Sequence, residues 1–198
     1  MNQAIAHPLH LPIVWAIWKP RVASRLLLMG LGIIALVASA KVQIPAWPIP
    51  MTMQTYVILV IAMAYGSRLG LSTVAIYLAI GAAGFPVFAG TPEKGIGLAY
   101  MVGPTGGYLV GFFVATWACG WLAAKGWDRT VPKVLAVMTI GHLLILGIGV
   151  AWLGTLVGWR SAVALGFTPF IAATIVKTLL AAATLPTAWK LVLWCKNP

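Results

Sequence analysis

Lys177 is the residue whose type and position most strongly suggest chemistry, because it lies in the last long apolar stretch of the sequence. A lysine inside hydrocarbon costs at least about 2.5 kcal/mol, so such residues usually face a cavity, a partner or a ligand. The two acidic residues of the chain, Glu93 and Asp128, fall in predicted loops and are poor partners for it. One interpretation is that Lys177 binds an anion carried by a ligand. The alternative is a lysine that reaches the interface or bonds to carbonyl groups.

Helical spacing places Phe170, Thr174, Lys177 and Ala181 on one face of the same segment. This face offers an aromatic wall, a hydroxyl and an ammonium group, which together suit a mostly apolar molecule that carries a carboxylate. The small residues on this face are equally typical of close helix packing, so both interpretations stay open.

A second group of candidate residues surrounds Gln54, where the first predicted span ends and the second begins. Prolines at positions 45, 48 and 50 exclude a helix there, and Thr52 is a candidate N-cap for the helix that follows. The Gln54 amide both donates and accepts hydrogen bonds, which matches a urea or amide group on a ligand. Its alternative role is to satisfy the backbone of the loop.

The stretch from Gly84 to Tyr108 is rich in glycine and proline and cannot form a membrane helix. Because it also carries aromatic residues such as Phe88 and Tyr100, it is predicted to be a structured loop rather than a flexible linker. The stretch ends in Gly103-Pro-Thr-Gly-Gly-Tyr108, whose glycines allow close approach of the backbone. This motif lacks the Gly-Lys-Ser/Thr of a Walker A loop, so it does not predict ATP binding.

The sequence lacks the sets of residues that are typical of catalytic or metal sites. His142 stands alone in an apolar stretch, and His7 and His10 lie near the amino terminus. Cys119 and Cys195 are far apart in the sequence. The sequence also has no pair of neighbouring carboxylates for acid–base catalysis. We therefore predict no enzyme activity, no metal and no cofactor. We expect His142 to pack and to bond to a neighbouring helix.

Composition indicates an integral membrane protein, since 62% of the 198 residues are hydrophobic and only 8% are charged. Division at charges and at Gly/Pro clusters predicts an all-α fold with six spans, at residues 23–42, 52–66, 69–83, 107–124, 134–157 and 166–189. The break at residues 66–68 is predicted to be a tight turn between antiparallel helices. Residues 1–22 are predicted to form an interfacial or disordered segment, and residues 23–193 a single transmembrane domain.

The distribution of the 13 cations predicts the orientation of the spans. Nine of the lysines and arginines fall on one side of the predicted spans, three fall on the other, and Lys177 lies within a span. By the positive-inside rule both termini are cytoplasmic, and the loop between the third and fourth helices faces outward. The cations are scattered singly at helix ends, which argues against nucleic-acid binding despite the net charge of +11.

The first span carries small residues three and four positions apart, namely Gly32, Ala35 and Ser39. Such spacing allows another helix to approach closely. That helix can belong to this chain or to a partner protein, and the sequence does not choose between them.

Three motifs resemble the BioY family in order and spacing: Pro48-Ile-Pro-Met-Thr-Met-Gln-Thr55, Gly84-Phe-Pro-Val-Phe-Ala-Gly90 and Gly103-Pro-Thr-Gly-Gly-Tyr-Leu-Val-Gly-Phe112. Proteins of this family are biotin-specific S components of energy-coupling factor (ECF) transporters. The resemblance implies six helices in the bacterial cell membrane, a biotin site near the outer face, a transmembrane T component and two cytoplasmic ATPases. Thr174 stands where many relatives have an aspartate, so Lys177 is expected to meet the carboxylate of biotin.

Combining the residues with the resemblance gives a predicted biotin site of eight residues: Gln54, Phe88, Ala89, Gly90, Tyr100, Tyr108, Thr174 and Lys177. The aromatic side chains are expected to flank the bicyclic ring, and the polar groups to fix its two ends. The loop is expected to act as a lid whose tip, residues 91–94, faces solvent. A stand-alone secondary transporter of a small carboxylated vitamin and a membrane enzyme are the alternatives.

Overall fold

Long apolar helices dominate the computed structural model, which describes residues 12–17, 21–44 and 48–196. Five helices in this part of the chain are long and apolar enough to cross a membrane. The helices are α1 (Ile13–Ile17), α2 (Val22–Lys41), α3 (Gln54–Ala82), α4 (Gly97–Met101), α5 (Gly106–Ala124), α6 (Val131–Val157), α7 (Trp159–Gly166) and α8 (Phe170–Lys196). Two short strands, β1 (Gln43–Ile44) and β2 (Met51–Thr52), pair antiparallel between α2 and α3.

Helix α3 is a hairpin of two short helices that fold back at Gly66. The φ of Gly66 is 76° and its ψ is 173°, a backbone conformation outside the helical region. Gln54 Nε2 lies 2.6 Å from the hydroxyl of Tyr77, 23 residues later, whereas a straight helix would separate these residues by about 35 Å. Residues 54–65 and 67–82 are therefore antiparallel neighbours. The six-helix prediction and its tight turn at residues 66–68 are confirmed.

The last predicted span differs from the structure at both ends. The predicted start at residue 166 falls at the end of α7, and α8 begins at Phe170 and continues to Lys196. Pro169 explains the break, because proline disfavours a helical conformation in the residue that precedes it. Thr168 and Pro169 accordingly lie in the turn between α7 and α8.

Helix α5 lies against both α3 and α6 in the centre of the bundle. Gly111 allows the contact with α6, since a Cβ at this position would come within 2.8 Å of the Ile145 Cα. Small residues are typical of such interfaces in membranes, where close packing replaces the hydrophobic effect.

Helix α2 lies at the edge of the bundle, with Leu26, Leu31 and Ile34 exposed. Its small residues face inward to different extents: Gly32 and Ser39 are buried and Ala35 is half-buried. A Cβ at Gly32 would lie 2.8 Å from a methyl carbon of Thr73. Gly32 therefore serves helix packing within this chain.

The amino-terminal prediction falls partly outside the described residues, which omit 1–11 and 18–20. Within the described part, α1 packs Ile13 against Trp189 of α8. Trp15 lies next to the guanidinium group of Arg25, 5.7 Å from the centre of its ring. The assignment of residues 1–22 as an interfacial or disordered segment stays a prediction.

Candidate functional site

A cavity lies beneath the loop between α3 and α5, at the end of the bundle where α8 begins. Its walls come from β2, both ends of the loop, α3, α5, α6 and α8. Six of the eight predicted site residues line it: Gln54, Phe88, Ala89, Tyr100, Tyr108 and Lys177. The fold thus brings together residues that are up to 123 positions apart in the sequence, from Gln54 to Lys177.

Lys177 enters the cavity from α8 and is only 6% exposed. Its ammonium group donates hydrogen bonds to the carbonyl oxygen of Thr52 at 2.5 Å and to the hydroxyl of Thr55 at 2.9 Å. An ammonium group has three donors, so a further hydrogen bond can be made to a ligand. Within the described residues, no carboxylate forms a salt bridge with Lys177. Lys177 therefore bonds to a carbonyl group, as one of the two interpretations expects. It also lines a cavity that can receive an anion.

Gln54 is 4% exposed and connects the cavity to the loop above it. Its side-chain nitrogen donates to the hydroxyl of Tyr77, and this hydroxyl donates to the carbonyl oxygen of Val87 at 3.0 Å. The amide oxygen of Gln54 remains available as an acceptor. Sequence reasoning missed Tyr77, because an inward-facing tyrosine is not distinguishable from other apolar residues of a helix.

Two aromatic rings of the loop form one wall of the cavity. Phe88 and Tyr100 stack with their centres 5.0 Å apart and an angle of 18° between the ring planes. The Tyr100 hydroxyl donates to the carbonyl oxygen of Ala89 at 2.8 Å. Burial raises the pKa of Tyr100 above its ordinary value of 10.0, so the phenol stays protonated and keeps this bond at neutral pH. The wall is a rigid, apolar surface suited to a flat ring.

The loop is fastened to α2 by Lys41. The ammonium group of Lys41 donates to the carbonyl oxygens of Phe88 at 3.1 Å and Thr91 at 3.0 Å, and to the Thr91 hydroxyl at 3.2 Å. Thr91 is only 6% exposed, whereas Pro92, Glu93 and Lys94 are exposed. The expectation that residues 91–94 all face solvent is therefore wrong for Thr91, which this lysine holds inward.

Tyr108 and Phe170 form an apolar wall on the other side of the cavity, with their ring centres 6.3 Å apart. The Tyr108 hydroxyl donates to the carbonyl oxygen of Gly166 at 2.8 Å. Because this bond occupies the hydroxyl proton, Tyr108 presents its ring rather than a donor to the cavity. It also ties α5 to the end of α7.

Thr174 and Gly90 do not line this cavity. Thr174 lies in a separate groove between α6 and α8, next to His142 and Thr178. One residue turns a helix by about 100°, so Thr174 is about 60° around α8 from Lys177, whereas Phe170 is only about 20° away. The expectation that Thr174 shares the cavity with Lys177 is corrected on this ground.

Several cavity residues carried no signal in the sequence. Thr55 and Thr105 are ordinary threonines at helix ends, and Ile145 and Leu146 lie within a uniformly apolar stretch of α6. For Thr52 the sequence predicts only an N-cap role. Its hydroxyl does accept the Gln54 backbone N–H at 3.2 Å, and its carbonyl oxygen holds Lys177.

His142 is buried and occupies the groove beside the cavity. Its Nδ1 lies 2.9 Å from the carbonyl oxygen of Met138 and 3.3 Å from the hydroxyl of Thr178 on α8. The expected bond to a neighbouring helix is confirmed. Across the described ranges, no group of three or more His, Cys, Asp or Glu side chains is arranged to hold a metal ion.

Comparison with known proteins places this architecture in one family. A family model described as the BioY family matches residues 11–193. The chain belongs to the BioY family. Among BioY proteins, it is 35% identical over 157 residues to the biotin transporter BioY2 of Lactococcus lactis. The aligned region covers 78% of this chain and 84% of that protein. It is 36% identical over 159 residues to the biotin transporter BioY of Thermotoga maritima, with coverages of 80% and 91%.

A solved structure shares the BioY fold described above. The crystal structure of the S-component for biotin from an ECF-type ABC transporter matches with a TM-score of 0.70 at 20% sequence identity. The match covers 87% of this chain and 94% of that one. At this level of identity the likeness shows the fold.

The BioY relatives are named as transporters. The chain is therefore a multi-pass membrane protein of a transporter family and not an enzyme, which excludes the membrane-enzyme alternative. Its long apolar helices agree with this assignment.

Proposed function

We propose that this chain binds biotin in the cavity beneath the loop and acts in its uptake as the S component of an ECF transporter. The observation that carries the proposal is the buried ammonium group of Lys177, which lines an aromatic cavity and has no carboxylate partner among the described residues. The names of its relatives as biotin transporters support the choice of substrate.

The chemistry of the cavity matches the two ends of biotin. The valerate carboxylate suits Lys177, and a charge-assisted hydrogen bond is the strongest polar contact that this cavity can offer. The ureido group suits the amide oxygen of Gln54, which accepts N–H donors. The stacked rings of Phe88 and Tyr100 offer an apolar surface to the bicyclic ring between these ends.

Biotin requires the loop to move. The cavity volume is about 50 Å³, whereas sites that hold drug-sized ligands occupy roughly 300–1,000 Å³. The loop is held to α2 by three hydrogen bonds from Lys41 and to α3 by the bond from Tyr77 to Val87, and these contacts must loosen for biotin to enter.

Orientation and partners complete the proposal. With both termini in the cytoplasm, the loop faces outward and the cavity receives biotin from outside a bacterial cell membrane. A transmembrane T component and two cytoplasmic ATPases then supply the energy for delivery, and part of the exposed face of α2 is available to a membrane partner.

Uptake of labelled biotin in cells that express the chain with an ECF module tests this role. We expect uptake to require intact ATPases and to survive the loss of the proton gradient. Uptake that persists with inactive ATPases, yet collapses when the proton gradient is dissipated, would instead support a stand-alone secondary transporter. Such a transporter needs a coupling-ion site, and Glu93 and Asp128, the acidic residues of the chain, both lie in loops.

A further inference from the structure

A second cavity lies at the opposite end of the bundle from the proposed biotin site. Its volume is about 600 Å³, and it is bounded by the start of α2, the turn of the α3 hairpin, the end of α5 and the short helix α1. Arg25 and Arg68 line it together with the indole of Trp15 and the hydroxyl-bearing residues Ser67 and Ser72. The cavity is therefore both cationic and partly apolar.

Among the described residues, the two arginines have no acidic counterpart. Of the two acidic side chains, Glu93 lies in the loop at the other end of the molecule, and Asp128 is buried and accepts a hydrogen bond from Trp189 at 2.6 Å. Both arginines are exposed, so their charge is accessible to an anion from outside the protein.

The position of the cavity favours a lipid over a soluble anion. It lies where membrane-spanning helices begin and turn, which is the level of phospholipid headgroups. Val22 and Leu26, on the same first turns of α2 as Arg25, are 72% and 59% exposed. An occupant with a charged head and apolar chains can contact both the arginines and this apolar surface.

We propose that this cavity binds the phosphate headgroup of an anionic phospholipid. The guanidinium groups of Arg25 and Arg68 present planar pairs of donors that match phosphate oxygens. Trp15 supports one of them, with its ring centre 5.7 Å from the Arg25 guanidinium carbon. Basic pockets between membrane helices are known to hold anionic headgroups. This proposal is independent of the biotin site, which lies at the other end of the helices.

Native mass spectrometry of the full chain in detergent tests the proposal, with phosphatidylglycerol and phosphatidylethanolamine titrated separately. We expect the wild-type chain to retain phosphatidylglycerol in preference to phosphatidylethanolamine. Each of Arg25→Gln and Arg68→Gln should weaken this retention about fivefold, the effect of one cation near an anionic surface, and the double variant by roughly 25-fold. Arg160→Gln, which removes an exposed cation at the other end of the bundle, should leave it unchanged.

Equal retention of both lipids would overturn the proposal, and so would a loss of retention in the Arg160→Gln control equal to that in the other variants. Displacement of the lipid by millimolar inorganic phosphate would also overturn it, because this would indicate a site for a soluble anion. Thermal unfolding measured on the same samples shows whether each variant is folded. The double variant Arg25→Lys/Arg68→Lys keeps the charge in the event that the glutamine variants do not fold. It should retain the lipid preference at reduced strength, and loss of all preference in this folded variant would also contradict the proposal.

Discussion

At the scale of single residues, Lys41 links the loop above the cavity to helix α2. It reaches from the end of α2 to the loop segment between Phe88 and Thr91, which lies about 50 residues away in the sequence. Its three hydrogen bonds join the loop to a helix at the edge of the bundle. Loosening this contact should free the loop without altering the residues that line the cavity.

Replacing Lys41 by methionine is therefore expected to speed the dissociation of biotin. Hydrogen bonds to charged groups contribute about 1.5–3 kcal/mol each when buried, and since Lys41 is partly exposed we expect about a tenfold increase in the dissociation rate. Stopped-flow release of a fluorescent biotin analogue measures this rate. Lys41→Arg should restore slow release, and Lys133→Met, on an exposed lysine at the other end, should behave as wild type. An unchanged rate in Lys41→Met would show that the contact does not hold the loop.

The sequence predicts some residues of the site and gives no indication of others. Lys177 and Gln54 stand out because polar groups are rare in apolar stretches, and the structure places both in the cavity. Tyr77 and Lys41 carry no such signal, since their roles depend on partners that only the tertiary fold brings near. Helical spacing predicts Thr174 on the same face as Lys177, but such spacing defines a face only to within about one residue position.

At the scale of elements, the contact between α5 and α6 depends on glycine. Gly111→Ala should lower the free energy of unfolding by about 1–3 kcal/mol, because the new methyl group would meet the backbone of Ile145, which cannot rotate away. Gly147 on α6 is the matched control, since no atom lies within 4 Å of a Cβ built there. Gly147→Ala should be neutral or stabilise by up to about 1 kcal/mol. Thermal unfolding in detergent measures both, and equal midpoints for the two variants would contradict this packing.

The loop between α5 and α6 is fastened to α8 by a buried carboxylate. Trp189 donates to Asp128, and Arg129 lies 4.0 Å from the other carboxylate oxygen. Burial is the main cause that raises the pKa of Asp128 above its ordinary value of 3.8, and the bond from Trp189 partly opposes it. The native state therefore holds this proton more tightly than the unfolded state does.

This pKa shift predicts the direction of a pH effect on stability. The contribution of Asp128 to the free energy of unfolding is fully present below pH 3.8. It is lost as the pH rises through the raised native pKa. Asp128→Asn keeps an acceptor for Trp189 and has no carboxyl group to titrate, so its unfolding midpoint should not fall as the pH rises above 3.8, as that of the wild type does. Asp128→Ala leaves the indole N–H unpaired and should be less stable at every pH. The same pH slope in wild type and Asp128→Asn would contradict this account.

At the scale of the whole molecule, the bundle has two chemically different ends. One carries an aromatic cavity with a buried ammonium group under a loop, and the other carries a larger cavity with two arginines. The number of helices and the hairpin at Gly66 could be predicted because hydropathy, glycine and charge mark helix ends in membranes. The cavity walls could not be predicted, because Ile145 and Leu146 do not differ in the sequence from other apolar residues of α6. Only packing directs them inward.

The proposed function depends most directly on the binding of the biotin carboxylate by Lys177. Calorimetric titration of biotin and of its uncharged methyl ester into the purified chain and Lys177→Met tests it most directly, with Lys133→Met as control. We expect wild type and control to bind biotin alike and to prefer it over the ester, because the ammonium group favours an anion. Lys177→Met should bind biotin roughly 10- to 150-fold more weakly, the loss of one charge-assisted hydrogen bond, and should not distinguish it from the ester. Equal affinity of wild type and Lys177→Met for biotin would contradict the claim.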